Sequence, residues 1–216
     1  MNSSLEQAHY NSSSDPLVGD KVMDMTLPLV ELNLENCNFS DEQFFQLCQQ
    51  NKNFRFERNA QGDLAIMSPT GGETSNRNID LSYQLQAWNR RTKLGMAFDS
   101  SGGFILPNGA MRSPDAAWIP LARWEALAPE VKTRFLPLCP DFVVELLSPT
   151  DSLPRTQAKL QEFIDNGSRL GWLINRQTRQ VEVYRIGQPM EILEQPDFLD
   201  GETVLPNFQL DLSTIW

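Results

Sequence analysis

The chain has 216 residues, with 28 Asp and Glu against 18 Lys and Arg, a formal net charge of −10 and a pI of about 4.6. Apolar residues make up 40% and charged residues 21%, an ordinary globular balance that excludes a disordered chain. The acidic sum argues against a general nucleic-acid coat protein, but it is uneven: residues 1–50 carry −7 and 187–216 carry −6, which leaves 51–186 at +3.

Residues 1–25 are polar and rich in Ser, Asn and Asp, and read as a tail ahead of one domain over 26–216. The tail opens Met1-Asn2-Ser3-Ser4, without the basic and apolar regions of a secretory leader. It also holds His9, the one histidine, whose placement there removes His-dependent triads and most His-liganded zinc sites. Ser40 followed by Asp41, Glu42 and Gln43 is a capping-box pattern that opens a helix through Gln50. Residues 54–57 and 64–67 alternate on either side of a turn at Gly62, which predicts a hairpin. The longest helix runs over about 73–93, with Leu81, Leu85 and Trp88 on one stripe and Gly95 marking its stop. Short strands follow at 96–99, 104–106 and 115–119, with Asn108-Gly109 as a turn. A helical insert over 121–135 precedes the apolar run 142–147, a buried central strand. Pro154 starts a helix that buries Leu160, Phe163 and Ile164 and ends at Asn166-Gly167. Strands at 171–175 and 181–186 come next, and the acidic end adds strands near 190–193 and 208–212. This order predicts an α/β fold with a mixed central sheet and helices packed on its faces. The longest apolar runs fall far short of the roughly 20 residues a membrane span needs. Cys37, Cys48 and Cys139 show no CxxC pairing, so a reduced cytoplasmic chain is expected.

Four positions bear chemistry. Glu145 lies inside the apolar run Phe142-Val143-Val144-Glu145-Leu146-Leu147, where a carboxylate is costly unless it meets a partner. A bound cation is one candidate for that partner, and the plainer reading is a strand-end acid paired with an arginine. Asp115 follows Ser113-Pro114 and opens an apolar strand, as a turn or cap aspartate would, or as an acid facing a cleft from a sheet end. Lys159 falls at the margin of the buried stripe of the next helix, where it either snorkels or reaches a site. Glu73 stands at the start of the long helix, where the helix dipole favours an acid whatever its function. Taken together, an acid, a second acid 30 residues on in an apolar strand, and a helical lysine soon after suit metal-dependent phosphodiester hydrolysis. Two carboxylates hold Mg²⁺ or Mn²⁺ through oxygen, and a lysine orients water or neutralises charge on the transition state.

Arg112-Ser113-Pro114-Asp115 and Pro140-Asp141-Phe142-Val143-Val144-Glu145-Leu146-Leu147-Ser148-Pro149 resemble the Uma-two family of bacterial "putative restriction endonucleases". Lys159-Leu160-Gln161-Glu162-Phe163, Gly171-Trp172-Leu173-Ile174 and Val181-Glu182-Val183-Tyr184-Arg185 extend the likeness over roughly 40–212. The resemblance implies the PD-(D/E)XK nuclease fold, with Asp115 as the "PD" acid, Glu145 as the second acid and Lys159 as the active-site lysine carried on a helix. It further implies Glu73 as the acid of the first core helix, the Leu146 carbonyl as a metal ligand and Glu57 as a recurrent acid. Two departures stand out. Glu145-Leu146-Leu147 has no lysine two residues after the acid, and no histidine sits near the start of the long helix.

Two functions are therefore expected to compete. One is a Mg²⁺- or Mn²⁺-dependent DNA endonuclease, a homodimer by resemblance, with Arg77, Arg90, Arg91, Lys93 and Arg155 available to phosphates. The other is an inactive nuclease fold kept as an interaction or nucleic-acid-binding module, with another phosphoester hydrolase as a weaker third reading.

Overall fold

The computed structural model describes residues 29–34, 37, 39–67 and 69–216, so the tail over 1–25 and His9 lie outside the described residues. Strand β1 (Val30–Leu32) precedes helix α1 (Asp41–Gln50). The predicted capping box forms there: the Gln43 N–H donates to Ser40 Oγ at 3.2 Å, and the Ser40 N–H donates to Gln43 Oε1 at 2.9 Å. Strands β2 (Arg55–Arg58) and β3 (Leu64–Met67) make the hairpin, turned at Gly62 with φ +96°.

Helix α2 (Gly72–Thr92) buries Leu81, Leu85 and Trp88. Its stop differs from the expected one. The left-handed residue is Lys93, φ 56°, while Gly95 is the first residue of strand β4 (Gly95–Asp99). A Cβ there would stand 2.0 Å from the Ile119 carbonyl oxygen, so this glycine serves close strand approach rather than helix termination. Strands β5 (Phe104–Ile105) and β6 (Met111–Arg112) pair across Asn108-Gly109, and β7 (Ala116–Pro120) follows. The expected helix over 121–135 shrinks to α3 (Leu121–Glu125) and a 3-10 turn at Val131–Thr133, because Pro129 lacks the N–H a continuing helix needs.

Strand β8 (Phe142–Leu147) is buried along its whole length. Helix α4 (Leu153–Asp165) follows with Pro154 in its first turn, and the chain then turns at Gly167, φ +113°. Strands β9 (Leu170–Asn175), β10 (Gln180–Arg185), β11 (Glu191–Glu194), β12 (Phe198–Asp200) and β13 (Gln209–Asp211) complete the described chain. The three-residue strands β1 and β12 are too short to leave an alternation in the sequence.

The main sheet has six strands in the order β11-β10-β9-β8-β7-β4, and it is mixed because β8 and β9 run parallel while its other pairs are antiparallel. Alternation along β8 divides the core. Phe142, Val144 and Leu146 pack with Leu81, Leu85 and Trp88 of α2 and with Phe208 and Leu210. Val143 and Leu147 pack with Leu160, Phe163 and Ile164 of α4. The period of two therefore sends Glu145 to the α4 face, among apolar neighbours. A second sheet, β1-β3-β2-β6-β5, lies over its own core of Phe44, Phe56, Leu64 and Met111. Phe56 faces that core, so the neighbouring Glu57 points the other way, towards α4 and the main sheet. No helix among the described residues is long and apolar enough to cross a membrane.

Candidate active site

The site forms where the β7–β8 ladder stops. Ala116 faces Val144, and one residue earlier on β7's side stands Asp115, level with Glu145. Asp115 Oδ2 accepts the Leu146 N–H at 2.8 Å, so a carboxylate takes the place of the next ladder carbonyl. In extended backbone the N–H and C=O of one residue point to the same side, so the Leu146 carbonyl faces the edge that Asp115 occupies. Asp115 Oδ1 accepts from Asn78 Nδ2 of α2 at 3.1 Å, while Asn78 Oδ1 is buried with no hydrogen-bond partner.

Lys159 enters from α4, held against the sheet by its neighbours Leu160 and Phe163, both 0% exposed. Its Nζ lies 2.8 Å from Glu145 Oε1, 2.8 Å from Glu57 Oε1 and 3.0 Å from the Ser113 carbonyl oxygen, to which it donates. Glu57 also accepts the Ser113 N–H at 3.0 Å and Arg112 Nη1 at 3.2 Å, and Arg112 Nε donates to Glu162 at 2.6 Å. Three elements and a loop thus converge: the acid on β8, the lysine on α4, a further acid on β2, and the segment 112–115.

Charge is unbalanced here. Among the described residues, Glu57, Glu145 and Glu162 pair with Lys159 and Arg112, while Asp115 makes no ion pair and feels Lys159 and Arg55 at longer range. Burial, reinforced by Asp115 and Glu57, pushes Glu145 up to about 8 even with Lys159 beside it. Burial also raises Asp115, against the pull of the Leu146 N–H and Lys159. Burial would raise Glu57 too, but Lys159 and Arg112 outweigh it and hold that carboxyl below its ordinary value. Burial opposes the charge on Lys159, yet Glu145 and Glu57 overcome it and raise its pKa, so the group is an ammonium at neutral pH. As an ammonium, Lys159 can attract and orient anionic groups.

Among the described residues no group of three or more His, Cys, Asp or Glu side chains is gathered as a ready metal cage. What the site offers is two carboxylates plus neutral oxygens, from the Leu146 carbonyl and the unpartnered Asn78 Oδ1. An all-oxygen donor set with surplus negative charge fits a hard divalent cation such as Mg²⁺ or Mn²⁺.

The structure brings together Asp115, Glu145, Leu146, Lys159 and Glu57 from the sequence reading. Glu73 stands elsewhere: its carboxylate is exposed at the start of α2, ion-paired with Arg176 and, at 3.9 Å, with Arg77. Arg155 pairs with Glu31 at 2.7 Å. Arg90, Arg91 and Lys93 lie at the far end of α2, about 18 Å along the axis from Asn78. Sequence reasoning missed Asn78, whose one local signal is that Asn is a poor helix-interior residue. It also missed the role of Arg112 and the Ser113 backbone, which no local pattern marks.

Residues 41–213 match the Uma2 family, described as "Putative restriction endonuclease". Among solved structures, a "putative nuclease belonging to DUF820" from Anabaena variabilis is similar, with a TM-score of 0.63 and 19% identity over 74% of this chain and 88% of that one. No curated protein is significantly similar. The likeness in structure shows the restriction-endonuclease-like fold, and the family match spans nearly all of the described core. The chain belongs to the Uma2 family of nuclease-like proteins.

Proposed function

We propose that the protein is a divalent-metal-dependent endonuclease that hydrolyses phosphodiester bonds in DNA. The observation that carries this reading is the buried meeting of Asp115, Glu145 and Lys159 at the end of the β7–β8 ladder, with more negative charge than its two cations neutralise. Asp115, Glu145 and the Leu146 carbonyl would hold the cation, which when bound polarises a phosphoryl oxygen and lowers the pKa of an attacking water. Asn78 keeps the Asp115 carboxylate turned towards the edge. Lys159, fixed as an ammonium, offers positive charge to the phosphoryl oxygens as negative charge develops on them. The missing lysine two residues after Glu145 and the acidic ends favour an inert module, but Lys159 reaches Glu145 from the helix. Glu73, ion-paired with Arg176 and Arg77 at the start of α2, carries no step in this reading.

Incubation of supercoiled and single-stranded DNA with Mg²⁺, Mn²⁺ or EDTA tests the proposal. Cleavage is expected with either metal and not with EDTA. Asp115→Asn, Glu145→Gln and Lys159→Ala should each lower kcat by at least about 100-fold. Variants that cut as well as the wild type would show that the site lies elsewhere.

A further inference from the structure

We propose that Glu57, supplied by the second sheet, is the positioning residue for the Lys159 ammonium, an inference that rests on the nuclease site assigned above. A lysine on a helix reaches the site on a flexible four-carbon stem. One contact, to Glu145, would leave Nζ free to swing. Glu57 Oε1 at 2.8 Å and the Ser113 carbonyl at 3.0 Å supply two more acceptors, matching the three hydrogens of the ammonium.

The three contacts are not equivalent. The contact to the Ser113 carbonyl is an aligned hydrogen bond, while Glu145 Oε1 and Glu57 Oε1 each meet Nζ at 2.8 Å as ion pairs. Of the two acids, Glu145 is the one that the nuclease reading also gives to the cation. When Glu145 is engaged with a cation, Glu57 and Ser113 remain to hold Lys159, and its third N–H is left to face the substrate. Glu57 is itself rigidly placed: it is 3% exposed and accepts the Ser113 N–H and Arg112 Nη1, while Arg112 is anchored on Glu162. The same Ser113 thus accepts from Lys159 and donates to Glu57, which closes the arrangement. An acid whose only task was to neutralise a buried cation would not need this geometry, because Arg112 already satisfies it.

Glu57→Gln tests this, because it keeps size and packing while removing the charge. With supercoiled DNA and Mg²⁺, kcat is expected to fall about 10- to 100-fold with KM unchanged. Arg185→Gln, which breaks the ion pairs with Glu191 and Glu202 away from the site, serves as the control: it should lower Tm and leave kcat alone. An independent readout is the ¹H–¹⁵N signal of the Lys159 ammonium in ¹⁵N-lysine-labelled protein. With five lysines in the chain, this signal is assigned by its loss in Lys159→Gln. The signal should be protected from solvent exchange in wild type and broadened away in Glu57→Gln. Should Glu57→Gln fail to fold, Glu57→Asp keeps the charge but shortens the reach, and a smaller loss of the same kind is expected. A Glu57 variant with kcat within twofold of wild type, or with the Lys159 signal unchanged, overturns the inference. If the wild type cuts no DNA, the nuclease reading fails, and the ammonium signal alone still decides whether Glu57 holds Lys159.

Discussion

Glu145 is the residue in which function and stability oppose each other. Its carboxyl titrates at about 8 in the folded chain, above the ordinary glutamate value of about 4.5, because burial and the nearby Asp115 and Glu57 disfavour its charge. The folded state therefore holds a proton that the unfolded chain has released between pH 4.5 and 8, so stability falls as pH rises through that window. Without metal and in EDTA, Glu145→Gln should lack this loss. Its Tm relative to wild type should rise from pH 5 to pH 8, and a flat difference in thermal melts would show that Glu145 is not strained. The sequence leaves the partner of Glu145 open, and the structure places the Lys159 ammonium beside it. Position within an apolar run shows that a buried acid needs a partner, since an unpaired buried charge is costly. It does not name the partner, because Lys159 comes from a different element.

At the scale of elements, α4 and β4 carry the positioning burden. Lys159 is only as well placed as the helix that bears it, and Leu160, 0% exposed, packs over Gly171 of β9, where a Cβ would come within 2.8 Å of Leu160 Cδ1. Leu160→Ala should cost about 3 kcal/mol in urea unfolding and lower activity beyond the stability loss, by loosening the lysine. Gly95→Ala should be disruptive as well, costing about 3 kcal/mol, because its Cβ would meet the Ile119 backbone at 2.0 Å and backbone cannot rotate away. A loss below about 0.5 kcal/mol would mean that β4 is free to shift. The capping box of α1, the apolar stripes of α2 and α4 and the apolar run of β8 are local signals, and the elements they predict are present in the structure. The stop of α2 was not legible, because a glycine two residues past a helix end looks the same whether it caps the helix or makes room for a neighbouring strand.

At the scale of the whole molecule, charge and edges decide how the protein meets its partners. The site lies within the +3 segment, while the acidic ends flank it. DNA binding should therefore be modest and should weaken steeply with salt. Deleting residues 1–25 should raise DNA affinity at low salt; an unchanged affinity would place that charge beyond screening distance of the site. Among the described residues, strand β11 forms one edge of the main sheet, with Ile192 exposed, and offers an unpaired ladder for the homodimer that the family resemblance implies. Light scattering should give twice the 24.6 kDa chain mass, and a monomer mass would refute the dimer. By itself the sequence determined the α/β class and most element positions, because these follow from local periodicity, while Asp115, Glu145 and Lys159 stood out only through their combination and the family resemblance. Only the tertiary structure decided that β2 brings Glu57 to Lys159, that Asn78 rather than Glu73 touches Asp115, and that the hairpin belongs to a separate sheet. Those contacts join residues 37 to 102 positions apart, and such pairings are set by how α2, α4 and the second sheet come together at the main sheet, which no stretch of neighbouring residues encodes.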